Sequence, residues 1–333
     1  MIALRSVKVT VDHASAVGDA RRTARDLARS AHLDAFAMGK LELAVTELAT
    51  NLLQHAGEGD LLLRGTNGVA PAVEILALDR GPGMADPAAC LRDGHSTAGT
   101  QGTGLGAVRR MAAEFDLLSR PGEGTAVLAR IGAASARPLD VGVVCLPRQG
   151  ERACGDAWAV TGSGPAWRAV LADGLGHGEE AARASDEAVR VFEEHAAETP
   201  ADLVQRMHQV LRSTRGAAAL VLGGDAATGT VRACGVGNVS AAVIGEESTR
   251  QVTSVNGTLG HALRKVAEFV YTWPRTALLV AHSDGISSQL SLARYPGWKG
   301  RHPSLLAGLL WRDFGKAHYD ATVLVLRYRE AGA

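Results

Sequence analysis

Apolar positions recur at helical spacing in two long stretches near the amino terminus. They predict a first helix over about Ala16–Ala31 and a second helix that begins after Asp34, a side chain well suited to an N-cap. The second helix carries one apolar stripe, formed by Leu41, Val45, Leu48 and Leu52. A stripe of this kind is typical of a helix that packs on a protein core.

Shorter apolar runs after these helices predict β-strands. Leu61–Arg64 and Val73–Leu78 are typical of adjacent strands. Asp116–Ser119 and Thr125–Ile131 predict a hairpin around the turn Pro121–Gly124. A glycine-rich loop and one further helix are predicted between the two strand pairs.

The second half of the chain has a different pattern. Short strands dominate it, with two predicted helices at about Glu179–Ala197 and Ala201–Ser213. Asp225–Gly229 predicts a turn between two of the strands. No internal repeat relates the two halves, so they are expected to differ in kind.

A small, flexible segment, Gly132–Pro138, lies between the halves. It ends in proline and separates the strand-like runs Ala126–Ile131 and Val141–Leu146. The 333 residues of the chain suit two domains of ~150 residues each. We therefore predict one domain over residues 1–131, a linker over 132–138 and a second domain over 139–333.

Composition and charge narrow the classes of function. The chain has 35 Lys plus Arg and 35 Asp plus Glu, so its net charge favours neither nucleic acid nor a membrane. Aromatic residues make up 4%, which weakens a case for base stacking. No apolar run approaches the ~20 residues needed to cross a bilayer. Four widely spaced cysteines without metal-site spacing are expected to be reduced, in a cytoplasmic protein.

Three segments of the first half carry candidate chemistry. Glu47 and Asn51 are four residues apart on the second helix and share a face. A carboxylate there could accept a proton from a hydroxyl nucleophile, and an amide oxygen could bind magnesium carried by phosphates. Such a pair is also common on helices that simply face solvent, so it decides nothing alone.

The other two segments are rich in glycine. Asp79 follows a strand and could accept a hydrogen bond from an exocyclic amine such as adenine N6, while Gly81 and Gly83 would let the backbone approach the ring. The same residues would also make a simple tight turn. Gly99–Gly106 opens a predicted helix, whose free N–H groups could hold phosphate oxygens. It is not a P-loop, because no Lys-Ser or Lys-Thr pair follows.

Together these segments resemble the N box and the two glycine boxes of the GHKL ATPase superfamily. More narrowly, Asp93–Thr97, Gly102–Gly106, Glu114–Asp116 and Gly122–Thr125 are similar to the RsbT-type switch kinases. The resemblance implies that Glu47 is the general base that activates a serine or threonine of a STAS-domain protein. The residues that it implies for ATP and its Mg²⁺ are Asn51, Asp79, Gly81, Gly83, Gly102, Thr103, Gly104, Leu105, Gly106 and Thr125.

Aspartates at the ends of predicted strands carry the candidate chemistry of the second half. Asp156, Asp173, Asp284 and Asp320 each lie beside an apolar, strand-like run. Carboxylates that converge in this way could bind magnesium or manganese, and a metal-bound water becomes a nucleophile near neutral pH. Any one of these aspartates alone is better explained by a turn.

This set resembles the PPM-type serine/threonine phosphatases, in their SpoIIE and RsbX branch, with Asp173–Gly178 as the most specific piece. The resemblance implies metal ligands at Asp156, Asp173, the Gly174 carbonyl and Asp284. Relatives place an acid where this chain has Tyr319, which leaves Asp320 in second position. Because side chains alternate along a strand, Asp320 is expected to face the metal only if a bulge shifts the register.

The expected fold class is α+β, with a GHKL (Bergerat) α/β sandwich followed by a PPM-type β-sandwich flanked by helices. The expected function is bifunctional: ATP- and Mg²⁺-dependent phosphorylation of a STAS-domain antagonist or scaffold, and Mn²⁺- or Mg²⁺-dependent dephosphorylation. A second regulatory phosphatase or a sigma-factor regulator is a further possible partner; no nucleic acid or membrane is expected. The alternative is an ATP-binding, anti-sigma-like protein that sequesters its partner and has a degenerate phosphatase domain.

Overall fold

The computed structural model describes residues 5–66, 70–91, 104–135, 139–163 and 165–329. The chain divides into two compact units, Ser6–Ala136 and Arg137–Ala333, the latter together with Met1–Arg5. The division falls inside the predicted linker. Within the described ranges, no helix is long and apolar enough to span a membrane.

The amino-terminal unit is an antiparallel sheet covered on one face by two long helices. Its strands are β1 (Val7–Val11), β2 (Gly59–Thr66), β3 (Ala72–Leu78), β4 (Glu114–Arg120) and β5 (Gly124–Gly132), in the order β1-β2-β3-β5-β4. Its helices are α1 (Ala14–Ser30), α2 (Ala35–Asn51), α3 (Pro87–Cys90) and α4 (Gly104–Met111), and a π-helical turn, Leu52–Ala56, extends α2.

The helices begin and pack as the sequence predicts. The Ala37 N–H donates to Asp34 Oδ1 at 2.7 Å, so the predicted N-cap of α2 is confirmed. The apolar stripe of α2 is buried in the core between helix and sheet, with no member more than 3% exposed. α1 packs through small side chains at every fourth position, namely Ala16, Ala20, Ala24 and Ala28. These alanines allow the helix to approach the sheet closely.

The carboxy-terminal unit is a sandwich of two sheets. One sheet has the strand order β13-β10-β9-β8-β7, with β16 also paired to β10, and the other has the order β12-β11-β17-β18-β6. The strands are β6 (Leu139–Leu146), β7 (Asp156–Ser163), β8 (Ala166–Gly174), β9 (Ala217–Asp225), β10 (Thr230–Val236), β11 (Ser240–Ile244), β12 (Thr249–Val252), β13 (Ser254–Val255), β14 (Gly257–Thr258), β15 (Ala262–Leu263), β16 (Phe269–Thr272), β17 (Leu278–His282) and β18 (Ala321–Tyr328).

Helices cover both outer faces of this sandwich. α5 (Glu179–Glu194) and α6 (Pro200–Val210) pack on the first sheet, and α7 (Pro303–Phe314) packs on β6 and β18 of the second. Between the sheets, the Trp273 ring lies 5.1 Å from the ring of Trp167 and 4.1 Å from that of Tyr328, measured between centroids. The sequence interpretation missed α7.

The position of the boundary between the units predicts that each unit folds by itself. The chain is still bonded into the amino-terminal unit at Ser135, whose N–H donates to Glu114 Oε1, while β6 already begins at Leu139. Separately produced fragments 1–136 and 137–333 should therefore each fold, with their sheet amides protected from hydrogen exchange as in the intact chain.

As a control, division at Thr228, in the turn between the paired strands β9 and β10, should leave the first sheet of the carboxy-terminal unit, to which both strands belong, unprotected, because it separates strands that share a ladder. Loss of protection in either 1–136 or 137–333 would show that the units are not independent domains.

Two candidate active sites

The first candidate site is built on the exposed side of α2. Glu47 and Asn51 lie one turn apart and are both half-buried. Gly104, at the start of α4, faces them: a Cβ built there would lie 3.4 Å from Glu47 Oε2 and 3.8 Å from the Asn51 amide atoms. Any side chain at Gly104 would enter this space. The structure thus brings together three residues that the sequence predicted from two separate segments.

Asp79 anchors the opposite wall, where β3 ends. Its Oδ1 accepts hydrogen bonds from the Gly81 N–H at 2.8 Å and the Thr125 N–H at 3.1 Å, and its own N–H donates to the Thr125 carbonyl at 2.9 Å. Thr125 Oγ1 lies 2.8 Å from Ser119 Oγ on β4. These bonds fix the Asp79 carboxylate relative to β5.

The glycines of this turn allow neighbouring segments of the chain to pack closely against it. Gly83 has φ +68°, and a Cβ there would lie 1.9 Å from the Arg120 carbonyl oxygen. A Cβ at Gly81 would lie 2.7 Å from that of Ala56. The sequence interpretation explained both glycines by approach to an adenine ring. The structure gives each a further reason, close packing against backbone or a neighbouring helix turn.

These residues surround a cavity of about 580 Å³, a size within the usual range of small-molecule sites. Of the predicted residues, it is lined by Glu47, Asn51, Asp79, Gly83, Gly104, Leu105 and Thr125. Gly81 and Gly106 do not line it, and Gly102 and Thr103 lie outside the described residues. The sequence interpretation missed the apolar wall, which includes Leu52, Ala77, Met84 and Val127.

The second candidate site begins with two aspartates on neighbouring strands. Asp156 opens β7 and lies directly opposite Asp173 on β8 in the antiparallel register. Asp156 is fully buried, and its Oδ2 accepts a 2.6 Å hydrogen bond from Ser283 Oγ. No donor in the described part of the chain reaches its Oδ1. A buried carboxylate oxygen without a donor is costly unless a cation satisfies it.

The carboxylates of this site repel one another. Burial raises the pKa of Asp173, and nearby Asp156, Asp284 and Asp320 raise it further. Burial likewise raises the pKa of Asp156, although the hydrogen bond from Ser283 works in the opposite direction. A bound divalent cation would reverse this penalty, and the oxygen donors are those that magnesium and manganese prefer.

The carboxylates are close without forming a closed cage. Among the described residues, no three His, Cys, Asp or Glu side chains are gathered tightly enough to enclose an ion. This arrangement fits a hydrated magnesium ion, which keeps several waters and is commonly held by one or two carboxylates.

Asp284 and its neighbours come from the second sheet. Asp284 follows β17, and its Oδ2 accepts a 2.7 Å hydrogen bond from Asn238 Nδ2. Lys316 Nζ donates to the Asp284 carbonyl at 2.7 Å. A Cβ at Gly285 would lie 1.9 Å from the Asp320 carbonyl oxygen, so only glycine lets these two segments pass. Nothing in the sequence indicated this bond between Asn238 and Asp284.

Asp320 corrects the expectation of a bulge. It precedes β18, whose pairing with β6 is continuous from Ala321 to Tyr328, so strand alternation does not apply to it. Its buried carboxylate accepts a 2.9 Å hydrogen bond from the Arg148 N–H. Tyr319 remains half exposed. Asp320 therefore reaches the site without a bulge, and one of its oxygens holds the loop at Arg148.

A cavity of about 530 Å³ opens over these residues. It is lined by the predicted Asp173, Gly174, Asp284 and Asp320, together with Arg148, Leu175, Gly176, His177, Asn238, His318 and Tyr319. Asp156 is not among the lining residues. His177 Nδ1 lies 2.5 Å from Glu151 Oε1. Arg148, Glu151, Ser283 and His318 were missed in the sequence, where nothing marks them apart from other polar residues.

Comparison with known proteins assigns a family to each unit. Residues 10–131 match the histidine kinase-like ATPase domain, and residues 163–329 match Stage II sporulation protein E, SpoIIE. The serine/threonine-protein kinase RsbT of Bacillus subtilis is 36% identical over 115 residues, which are 33% of this chain and 84% of RsbT. The phosphoserine phosphatase RsbX of the same organism is 25% identical over 144 residues, 43% of this chain and 72% of RsbX.

Solved structures share the fold over somewhat more than half of the chain. A chain from work on the bacterial stressosome, described there as a modular system adapted to control secondary messenger signalling, is 30% identical with a TM-score of 0.54; the match covers 57% of this chain and 99% of that one. RsbX in complex with magnesium shares the fold, with a TM-score of 0.52 and 21% identity over 58% of this chain and 96% of RsbX. The expected fold class is confirmed. The chain therefore belongs to the RsbT-like histidine kinase-like ATPases through its amino-terminal unit and to the SpoIIE family of PPM-type phosphatases through its carboxy-terminal unit.

Proposed function

We propose that this chain resets a bacterial partner-switching module. Its amino-terminal unit transfers phosphate from ATP to a serine or threonine of a STAS-domain protein, and its carboxy-terminal unit removes that phosphate with the help of Mn²⁺ or Mg²⁺. The observation that carries the proposal is the presence of two separate, ligand-sized cavities in one chain, each lined by the polar residues that its own reaction needs. We place both reactions in the cytoplasm, where cysteines stay reduced, because none of the four cysteines, all within the described ranges, forms a disulfide.

In the kinase unit, the helix face of α2 supplies the reacting groups. Glu47 accepts the proton of the attacking hydroxyl. The Asn51 amide oxygen would hold the Mg²⁺ that accompanies the nucleotide, and such an ion would supply neutralisation of the phosphate charge. The N-terminal end of α4, at Gly104, faces the same space and provides N–H groups for phosphate oxygens. Asp79, held by Gly81 and Thr125, receives the adenine amine.

In the phosphatase unit, Asp156, Asp173, Asp284 and the Gly174 carbonyl would hold the metal. A divalent cation supplies an activated water and polarises the phosphoryl group. The chain positions its ligands through partners: Ser283 holds Asp156, and Asn238 holds Asp284. Arg148 brings a positive charge to the same cavity, where it attracts the phosphate.

Opposing activities on one chain act on one substrate at high effective concentration, which suits a resetting device. RsbT is described as a serine/threonine kinase and RsbX as a phosphoserine phosphatase. One observation favours the second candidate, a partner-sequestering protein with a degenerate phosphatase: an oxygen of Asp320 is occupied by the Arg148 N–H. Phosphate transfer to and release from purified STAS-domain proteins of the same genome distinguish the two.

The first prediction for these activities concerns the general base. Glu47→Ala should leave ATP affinity largely intact and lower the rate of phosphate transfer ~100-fold or more, because proton transfer loses its acceptor. Asn51→Ala should instead weaken magnesium-dependent nucleotide binding. Radiolabel transfer and equilibrium ATP binding separate the two effects. Glu58→Ala, an exposed glutamate outside the cavity, serves as the control. A wild-type transfer rate in Glu47→Ala would disprove this mechanism.

The second prediction concerns the metal ligands and their support. Asp173→Asn should abolish phosphatase activity, because the site loses a central negative charge. Asn238→Ala should weaken manganese affinity by about 10–100-fold, the usual scale for a residue that orients a ligand. Manganese titration of activity and of thermal stability gives both values. The surface-turn variant Asp225→Asn should match wild type, and full activity of Asp173→Asn would refute the metal site.

The third prediction uses the departure at Tyr319. Tyr319→Asp should lower the manganese concentration needed for half-maximal activity, because it adds an anionic oxygen to the rim of the cavity. Asp320→Asn should reduce activity less than Asp173→Asn, since the amide oxygen still accepts from the Arg148 N–H. Matched titrations test both statements. Unchanged manganese dependence in Tyr319→Asp would show that position 319 lies too far from the ion.

A further inference from the structure

The amino-terminal half of α2 presents large apolar side chains to solvent. Phe36 is 73% exposed and Leu43 is 48% exposed. Lys40 lies between them, with its Nζ 4.3 Å from the centroid of the Phe36 ring. At 100° per residue, these three positions fall on one face of the helix. We call Phe36, Lys40 and Leu43 the α2 stripe.

The stripe is distinct from the face that packs on the core. Leu41, Val45 and Leu48 of the same helix are at most 1% exposed. α2 therefore carries two apolar faces, of which the core uses one. In the described part of the chain, only six large apolar residues are at least 40% exposed, and two of them share this helix face. Single exposed apolar residues need no explanation, whereas a shared face is typical of a binding surface.

The stripe leads directly to the kinase site. Glu47 lies one turn beyond Leu43 and on the same face, and Phe36 lies three turns before Glu47, or about 16 Å along the helix axis. A protein interface of ordinary size buries roughly 800 Å² on each partner, which is a patch about 30 Å across. A folded protein seated on the stripe can therefore also present a hydroxyl at Glu47.

Charges of both signs lie beside the stripe, with the carboxylates of Asp34, Glu42 and Glu47 on α2 as well as basic side chains. Arg21 and Arg25 of α1 both pair with the single carboxylate of Glu42, at 3.3 and 2.8 Å, which leaves one positive charge in excess. Lys40 adds another within the stripe itself. A carboxylate of the partner would therefore complement Lys40 within the stripe.

We propose that the α2 stripe is the docking surface for the protein that accepts phosphate. The occupant presents an apolar patch to Phe36 and Leu43 and a carboxylate to Lys40, and its acceptor hydroxyl reaches Glu47. This inference rests on the proposed function and adds the surface by which that substrate is chosen. Phe36 and Leu43 act in binding, not in the transfer of phosphate.

The test compares the full chain with the double variant Phe36→Gln, Leu43→Gln, which keeps good helix formers. The probes are the purified STAS-domain proteins used above. Kd is measured by calorimetry on chains that also carry Glu47→Gln to prevent turnover, and KM and kcat are measured without that change. The double variant should raise both Kd and KM about 100-fold, or roughly tenfold for each anchor residue, with kcat and ATP affinity unchanged.

A matched control is Val270→Gln, which removes an exposed apolar side chain from the other unit and should change neither constant. Lys40→Glu should weaken binding about tenfold at low salt, with less effect at high salt. Circular dichroism confirms that α2 is intact in each variant.

The outcomes separate docking from catalysis. Loss of binding in the double variant supports the stripe even if the unaltered chain transfers no phosphate, in which case the kinase proposal fails alone. Phosphate transfer with an unchanged KM overturns the stripe and leaves the kinase intact. Failure of every STAS-domain protein to bind the unaltered chain refutes the proposed occupant. Sedimentation that shows the double variant dissociating a dimer, with STAS affinity unchanged, assigns the stripe to a second copy and overturns the proposal.

Discussion

The hydrogen bond from Ser283 Oγ to Asp156 Oδ2 joins the two sheets of the carboxy-terminal sandwich where their strands end. Asp156 belongs to β7 of one sheet, and Ser283 follows β17 of the other. Ser283 Oγ also accepts the Thr322 N–H at 3.0 Å, which draws β18 to the same point. A buried carboxylate therefore lies where β7, β17 and β18 come together. Its second oxygen has no described donor, so the fold carries a local cost that a cation would relieve.

The amino-terminal unit uses a carboxylate in a similar way. Asp79 Oδ1 accepts hydrogen bonds from the N–H groups of Gly81 and Thr125, and these bonds tie the end of β3 to the start of β5. The bonds hold the side chain at the wall of a cavity before any ligand arrives. In both units, hydrogen bonds to the protein fix the position of a functional carboxylate. Such preorganisation lets a site bind its ligand without ordering its own side chains first.

The sequence predicted the parts of the fold that have a clear period or a local signal. α2 has an N-cap at Asp34, and its apolar positions on the core side recur at helical spacing. Both its start and its buried face were therefore predicted. α7 was missed because every residue from Pro303 to Leu310 is buried, including small and polar ones, so no polar face marks the helical period. Asp320 was misjudged because it precedes its strand by one residue, and strand boundaries are not fixed by the apolar run alone.

The sequence also could not show which residues hold the candidate metal-binding and nucleotide-binding side chains in position. Asp173 could be predicted because a glycine-rich turn marks it, whereas Asn238 meets Asp284 only through the pairing of distant segments. The domain limits and the roles of the site residues remain predictions. A motif locates the residues that touch a ligand, but the partners that orient those residues depend on tertiary contacts that leave no local pattern.

The distribution of exposed apolar side chains bears on the kind of substrate. Of the six large ones that the described ranges expose, Phe36 and Leu43 lead to Glu47, while Leu175 and Tyr319 line the mouth of the phosphatase cavity. A small phosphate ester would need charge and metal at these sites but no apolar rim. Exposed apolar surface is costly in water and is typical of surfaces that another protein covers. Both candidate sites therefore have apolar side chains at their edges, which is the feature that the proposed protein substrate would require.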